Sequence, residues 1–181
     1  MVARCSVKQV IKELRSLARK HGYEVRYYTY SALKDKSYHR GFTPQFPAGE
    51  FDRRKKRILI RKYRNTLKHS VMCVLAHEIS HMLHLIQGKY PKYYSDYWVN
   101  KILEHHRNNN SDLSDLDITC YKQGVKAERD CDRWAQEFLA ARGHQYNSKM
   151  KRLYPESMVM GYPLYVSYLI GLEIERLRPI R

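Results

Sequence analysis

The residues best suited to chemistry stand together at positions 77 to 81, which read His-Glu-Ile-Ser-His. On a helix, side chains four apart lie one turn above each other on the same face. His77 and His81 can therefore offer two imidazoles to one metal ion. Glu78 stands beside them, within reach of a water held by that ion. Zinc brings the pKa of such a water towards neutrality, so a neighbouring carboxylate can take its proton and later pass it to a leaving amine. This is the physical logic of the HExxH metallopeptidase motif. It predicts a Zn2+ site with His77 and His81 as ligands and Glu78 as general base.

A catalytic zinc needs a third protein ligand. The extended metzincin pattern requires glycine at position 84 and histidine at position 87. The chain has His84 and Gln87 there, so that class is excluded. Glu128 is the better candidate. Glu128, Cys131, Asp132, Ala135, Phe138 and Leu139 follow helical spacing, and the second half of that stripe is apolar. Two carboxylates at the start of a core-facing stripe are expected to be paired or bound to metal, because burying one alone is costly. The bland alternative is that the first turns of this helix emerge into solvent. His84 shares a face with His77 and His81 and can hydrogen-bond near the site. Cys73, four residues before His77, reads better as a small buried residue than as a ligand.

These side chains need elements to hold them. Residues 7 to 21 read as an amphipathic helix, with Val7, Val10, Ile11, Leu14, Leu17 and Ala18 on one face. Ser6 and Gln9 have capping-box spacing, and Gly22 supplies the stop. Tyr23 to Tyr30 suits a strand, and residues 41 to 51 read as loop and turns on their glycines and prolines. Arg57 to Arg61 is a second strand, with Phe51 as a nearby hairpin partner. From Thr66 to Gln87 the pattern is helical, with an apolar stripe of Val71, Val74, Leu75, Ile79, Met82, Leu83 and Ile86 ending at Gly88. The histidines of the motif lie away from the Val71, Leu75, Ile79 line. A helix is expected over 89 to 107 after a restart at Pro91, then a polar loop from Asn108 to Asp117. A further helix runs from about Tyr121 to Arg142, closed by Gly143, and a last one from Pro163 towards Leu177.

A chain of 181 residues suits one α+β domain over 1–181, and no repeat or linker divides it. Hydrophobic residues make up 43% and charged residues 29%, which argues against wholesale disorder. The four cysteines form no Cys-x-x-Cys pair, so a zinc ribbon is excluded and reduced thiols in a reducing compartment are expected. No signal-peptide h-region and no bilayer-length apolar stretch are present in the sequence, so the expected location is cytoplasmic, with no membrane partner.

His77-Glu78-x-x-His81, followed by Glu128-Arg-Asp-Cys-Asp132-Arg-Trp-Ala135-Gln-Glu137-Phe-Leu139, resembles the ImmA/IrrE-like zinc metallopeptidases. These are gluzincins, whose third ligand is a glutamate on a later helix. The second motif of that family is similar to Glu-x-x-Ala-Asn-x-Phe-Ala-x-Glu-Leu-Leu, and Cys131, Asp132, Trp134 and Phe138 stand at matching positions. The resemblance covers roughly residues 1 to 142. It implies a small, partly antiparallel sheet packed on a mainly helical, zincin-like domain. It implies Glu128 as third ligand and Asp132 as the carboxylate that orients a ligand histidine. It also implies cleavage of an intracellular regulatory or DNA-associated protein, in a family common in phages and mobile elements. The chain departs from the family in the distance from His81 to Glu128, which is 47 residues (128 − 81). Residues 91–118 read as a helical insertion. A histidine from it, among Glu104, His105 and His106, would make the site similar to the SprT-like zinc proteases instead.

The chain is strongly basic, with Lys and Arg totalling 34 against 18 Asp and Glu, for a net charge of +16. Such a field draws nucleic acid, anionic membrane surfaces and acidic proteins. Arg53, Arg54, Lys55, Lys56 and Arg57 are consecutive, so they are expected in a solvated turn or strand edge. They can hold phosphates, with Tyr27, Tyr28 and Tyr30 as stacking partners. A second functional class is therefore a basic nucleic-acid- or protein-binding module with a structural or inactive zinc site. The intact Glu78 favours the enzyme, because a purely structural site has no use for a general base.

Overall fold

The structure is a computed structural model and describes residues 4–30, 48–64, 66–95 and 118–146. These residues form an α+β arrangement: helix α1 (Val7–Lys20), strands β1 (Glu24–Tyr30), β2 (Ala48–Asp52) and β3 (Arg57–Tyr63), helix α2 (Lys68–Ile86) and helix α3 (Ile118–Ala140).

α1 starts where its sequence dictates. The Ser6 hydroxyl accepts from the Gln9 N–H at 3.2 Å, and the Gln9 side chain accepts from the Ser6 N–H at 2.7 Å. Two otherwise orphaned donors are satisfied reciprocally. Gly22 follows at φ +79°, a left-handed conformation that turns the chain directly into β1. Val10, Leu14 and Ala18 are fully buried, with Val7, Ile11 and Leu17 packed around them.

The sheet is mixed, in the order β1-β3-β2. β1 pairs parallel with β3 (Val25 opposite Ile58, Tyr27 opposite Ile60), and β2 pairs antiparallel with β3 (Phe51 opposite Ile58). The expected hairpin partner of the second strand is thus found. Residues 48 to 51, read as loop from their glycine and neighbouring proline, are strand, because β3 supplies a pairing edge that outweighs local turn propensity. The cationic run makes the β2–β3 turn. The Asp52 carboxylate accepts from the Lys55 N–H at 3.0 Å, and Lys56 takes a positive φ of 46° to complete the reversal. Arg54, Lys55 and Lys56 are exposed, while Arg57 lies 3.3 Å from the Asp52 carboxylate.

α2 is the central element, in contact with α1, α3, β2 and β3. Its sequence predicted one apolar stripe and a separate polar face. Instead it is buried nearly all round, and His77, Glu78, Ser80, His81 and His84 are as enclosed as Val71, Leu75 and Ile79. α3 covers the side that the pattern left open. After Gly88 (φ +66°), Tyr90 also takes a positive φ, and residues 91–94 form turns rather than the start of a helix. The rest of the expected insertion, the loop from Asn108, and the expected helix from Pro163 lie outside the described residues. α3 closes with Gly143 at φ +74°.

Candidate metal centre

The two histidines project from successive turns of α2 towards α3, where Glu128 meets them. His77 Nε2 lies 3.2 Å from His81 Nε2 and 3.0 Å from Glu128 Oε2. His81 Nε2 lies 3.3 Å from Glu128 Oε1. These three residues form a buried group whose ligand atoms all fall within 4.8 Å of one another. Ligand atoms around a tetrahedral ion with bonds of about 2.0–2.1 Å stand about 3.3–3.4 Å apart. The observed separations of 3.0–3.3 Å, with a different Glu128 oxygen facing each histidine, are near that spacing, so the three residues could hold one metal ion.

Each donor is held by a second contact. His77 Nδ1 donates to Asp132 Oδ1 at 3.1 Å, one helical turn after Glu128. Asp132 is in turn fixed by the Tyr146 hydroxyl, which donates to it at 2.6 Å. His81 Nδ1 and the Tyr94 hydroxyl are hydrogen-bonded at 2.8 Å, and the Tyr93 hydroxyl donates to Glu128 Oε1 at 3.0 Å. Phe51 of β2 stacks on the His81 ring and meets Tyr94 edge-on, which seals the group from the sheet side. Such partners set the tautomer and orientation of ligand histidines.

The protonation tendencies point one way. Burial alone would push His77 and His81 down. The hydrogen bonds to Asp132 and Glu128 at His77, and the nearby Cys131, Tyr94 and Glu128 at His81, override it and hold both well above the usual histidine range. Burial pushes Glu128 and Asp132 up, but their histidine partners hold both low, Glu128 well below the usual carboxylate range. The pocket therefore favours positive charge at its centre.

Glu78 is buried beside this group. Burial raises its pKa above the ordinary glutamate value, with His77 and His81 lowering it and Glu128 and Glu50 raising it. Its side chain runs directly against the backbone of Gly49 on β2. A Cβ at Gly49 would meet Glu78 Oε1, and would lie 2.6 Å from its Cγ and 2.7 Å from its Cδ. Only a glycine leaves room there.

The sequence-predicted residues His77, His81, Glu128, Asp132 and Glu78 are thus brought together. His84 is not part of the group: it sits one turn on, 3.4 Å from the Cys131 thiol and edge-on to Tyr90. Burial, with His81 and Lys89, lowers its pKa to about 4. Cys73 is buried in the core. Glu104, His105 and His106 lie outside the described residues. Sequence reasoning missed Gly49, Tyr93, Tyr94 and Tyr146. A Tyr-Tyr pair shortly after the motif helix was a signal, but nothing local names its partners. Among the described residues no helix is long and apolar enough to cross a membrane. Compared with protein-family models, curated proteins and solved structures, the chain matches none.

Proposed function

We propose that this chain is a zinc-dependent metalloendopeptidase of gluzincin type, in keeping with its resemblance to the ImmA/IrrE-like peptidases. The observation that carries the reading is the convergence of His77, His81 and Glu128 with Glu78 buried beside them. A buried two-histidine, one-carboxylate set suits zinc and leaves a position open for substrate or water. Zinc held by these residues would supply a Lewis acid for a scissile carbonyl and lower the pKa of a bound water. Asp132 holds the His77 imidazole in the tautomer that leaves the Nε2 lone pair for a metal, and the Tyr94 hydroxyl fixes the orientation of the His81 ring. Loading requires both histidines to be neutral, so it releases protons. Glu78 accepts the proton of the attacking water and returns it to the departing amine, and its raised pKa suits both transfers.

The protein-substrate reading draws on β2. It is one of the two edge strands of the sheet among the described residues, and its Gly49 lies against Glu78. An extended peptide that pairs with such an edge passes beside the general base. The substrate class that fits the family resemblance is an intracellular, regulatory or DNA-associated protein.

The test combines metal analysis with Glu78→Gln. Protein purified without chelator is expected to hold about one zinc per chain. Glu78→Gln is expected to keep that zinc while cleavage of a peptide library falls about 10²–10⁴-fold. Full cleavage by the variant would overturn the catalytic assignment. A wild-type protein that holds zinc but cuts nothing would favour the binding-module reading.

A further inference from the structure

The basic character of the chain is organised, and the metal centre does not use it. Lys8, Lys12, Arg15 and Arg19 of α1 are all exposed. At 3.6 residues per turn they fall within a sector of about 60° and extend for about 16 Å along the helix. This row flanks the buried Val10, Leu14, Ala18 face on the side of β1, since the Arg15 guanidinium lies 5.9 Å over the Tyr27 ring. The opposite flank of α1 carries Glu13, which is paired with Arg142 in the turn after α3. Its acid is thus kept away from the cationic row.

The row does not stop with the helix. α1 turns through Gly22 into β1, and the Glu24 N–H at the start of β1 donates to the Lys56 carbonyl at 3.0 Å. The exposed Lys55 and Lys56 of the β2–β3 turn therefore stand at the end of the molecule where α1 finishes. Among the described residues none of these six cations is paired with a carboxylate.

We infer that α1 and the β2–β3 turn form one ridge that binds the phosphate backbone of duplex nucleic acid. A line of about 16 Å runs past about five base-pair steps of about 3.4 Å each. Point charges so arranged neutralise phosphates and release counterions without reading bases. The aromatic neighbour cannot add base stacking: Tyr27 is packed against the core and covered by Arg15. Binding is therefore sequence-independent and strongly salt-dependent. It brings the protein to nucleic acid whether or not the metal centre cleaves anything.

The experiment uses the full chain and a labelled duplex of mixed sequence, two helical turns long, with affinity followed by fluorescence anisotropy over a salt series. One variant carries Lys8→Gln, Lys12→Gln, Arg15→Gln and Arg19→Gln, which preserve helix propensity. A second carries Lys55→Gln and Lys56→Asn, the asparagine tolerating the left-handed turn position. Wild type is expected to bind duplexes of unrelated sequence alike. The four-residue variant is expected to bind more than about tenfold more weakly and to flatten the log K against log salt slope by about 3. The turn variant is expected to flatten it by about 1–2. Metal content should be unchanged in both, which separates this result from the fate of the peptidase reading. Unaltered affinity and slope in the folded variants would overturn the inference. So would tighter binding to phosphatidylserine vesicles than to the duplex at the same salt, which would assign the ridge to a membrane surface.

Discussion

α1 and α2 are two helices of one core built on opposite terms. α1 carries its instructions locally: a capping box, a clean apolar stripe, a charged exterior and a glycine stop. α2 has no side-chain cap at Leu67 and no solvent face for most of its length. It encloses two histidines and a glutamate, groups that are expensive to bury unless each is satisfied. Partners on α3, on the turns after α2 and on β2 supply that satisfaction. α1 is thus held by local and hydrophobic terms, whereas α2 is held by a network that also forms the candidate site. Stability and function should separate between them, and substitutions can test the separation.

The largest expected effect is on stability. Leu14→Ala removes a fully buried side chain from α1 and should cost about 2–5 kcal/mol in chemical denaturation. The folded fraction should keep unaltered zinc affinity. A parallel loss of zinc affinity would mean that the two helices are not separable.

Tyr94→Phe should do the converse. It deletes the hydroxyl that pairs with His81 Nδ1 and leaves the ring against Phe51. Zinc affinity, measured by chelator competition, should fall by about tenfold or more. Unfolding of the metal-free protein should shift by about 1–3 kcal/mol, because the buried His81 Nδ1 loses its partner. Unchanged zinc affinity would remove Tyr94 from the support of the centre.

Ser6→Ala sets the lower end of the scale. Losing the α1 cap should cost about 1 kcal/mol, with no effect on metal or on nucleic-acid binding. A larger loss would show that the start of α1 is tied to the rest of the molecule by more than its cap. The contacts there are the Cys5 N–H to Arg142 carbonyl bond at 3.3 Å and the approach of His144 Nε2 to the Cys5 carbonyl at 2.7 Å.

The same contrast explains what could be read in advance. Ser6, Gln9, Gly22 and the Val10 stripe specify α1 almost without reference to the fold. The spacing of His77, Glu78 and His81 was legible because helical geometry alone brings i and i+4 together. Glu128 and Asp132 were legible as two carboxylates on a core-facing stripe. The all-round burial of α2 was not legible. Polar residues at 77, 78, 80, 81 and 84 look like a wet face, and α3, β2 and the turns after α2 together make that face an interior. The parallel pairing of β1 with β3 was equally hidden, since a strand's pattern does not name its neighbour. The tyrosine hydroxyls escaped for a related reason. Tyr93, Tyr94 and Tyr146 act on residues 13 to 35 positions away, and such partnerships leave no periodic trace. Tyr27 shows the opposite error: an aromatic proposed for base stacking is occupied with the core and Arg15.

One feature of the centre reaches beyond chemistry. Two donors come from α2 and the third from α3, with Glu128 standing 47 positions after His81 (128 − 81). An ion held by all three would therefore close a long loop, as a cross-link does. Closing a loop of that length costs entropy that grows only with the logarithm of its size, so a clip placed there restrains much chain for little strain. Chelation would then act on the mechanics of the molecule as well as on its reactivity. The α2–α3 junction would loosen as a unit, and proteolytic nicks would spread from that seam while α1, capped and packed on its own terms, stayed shut.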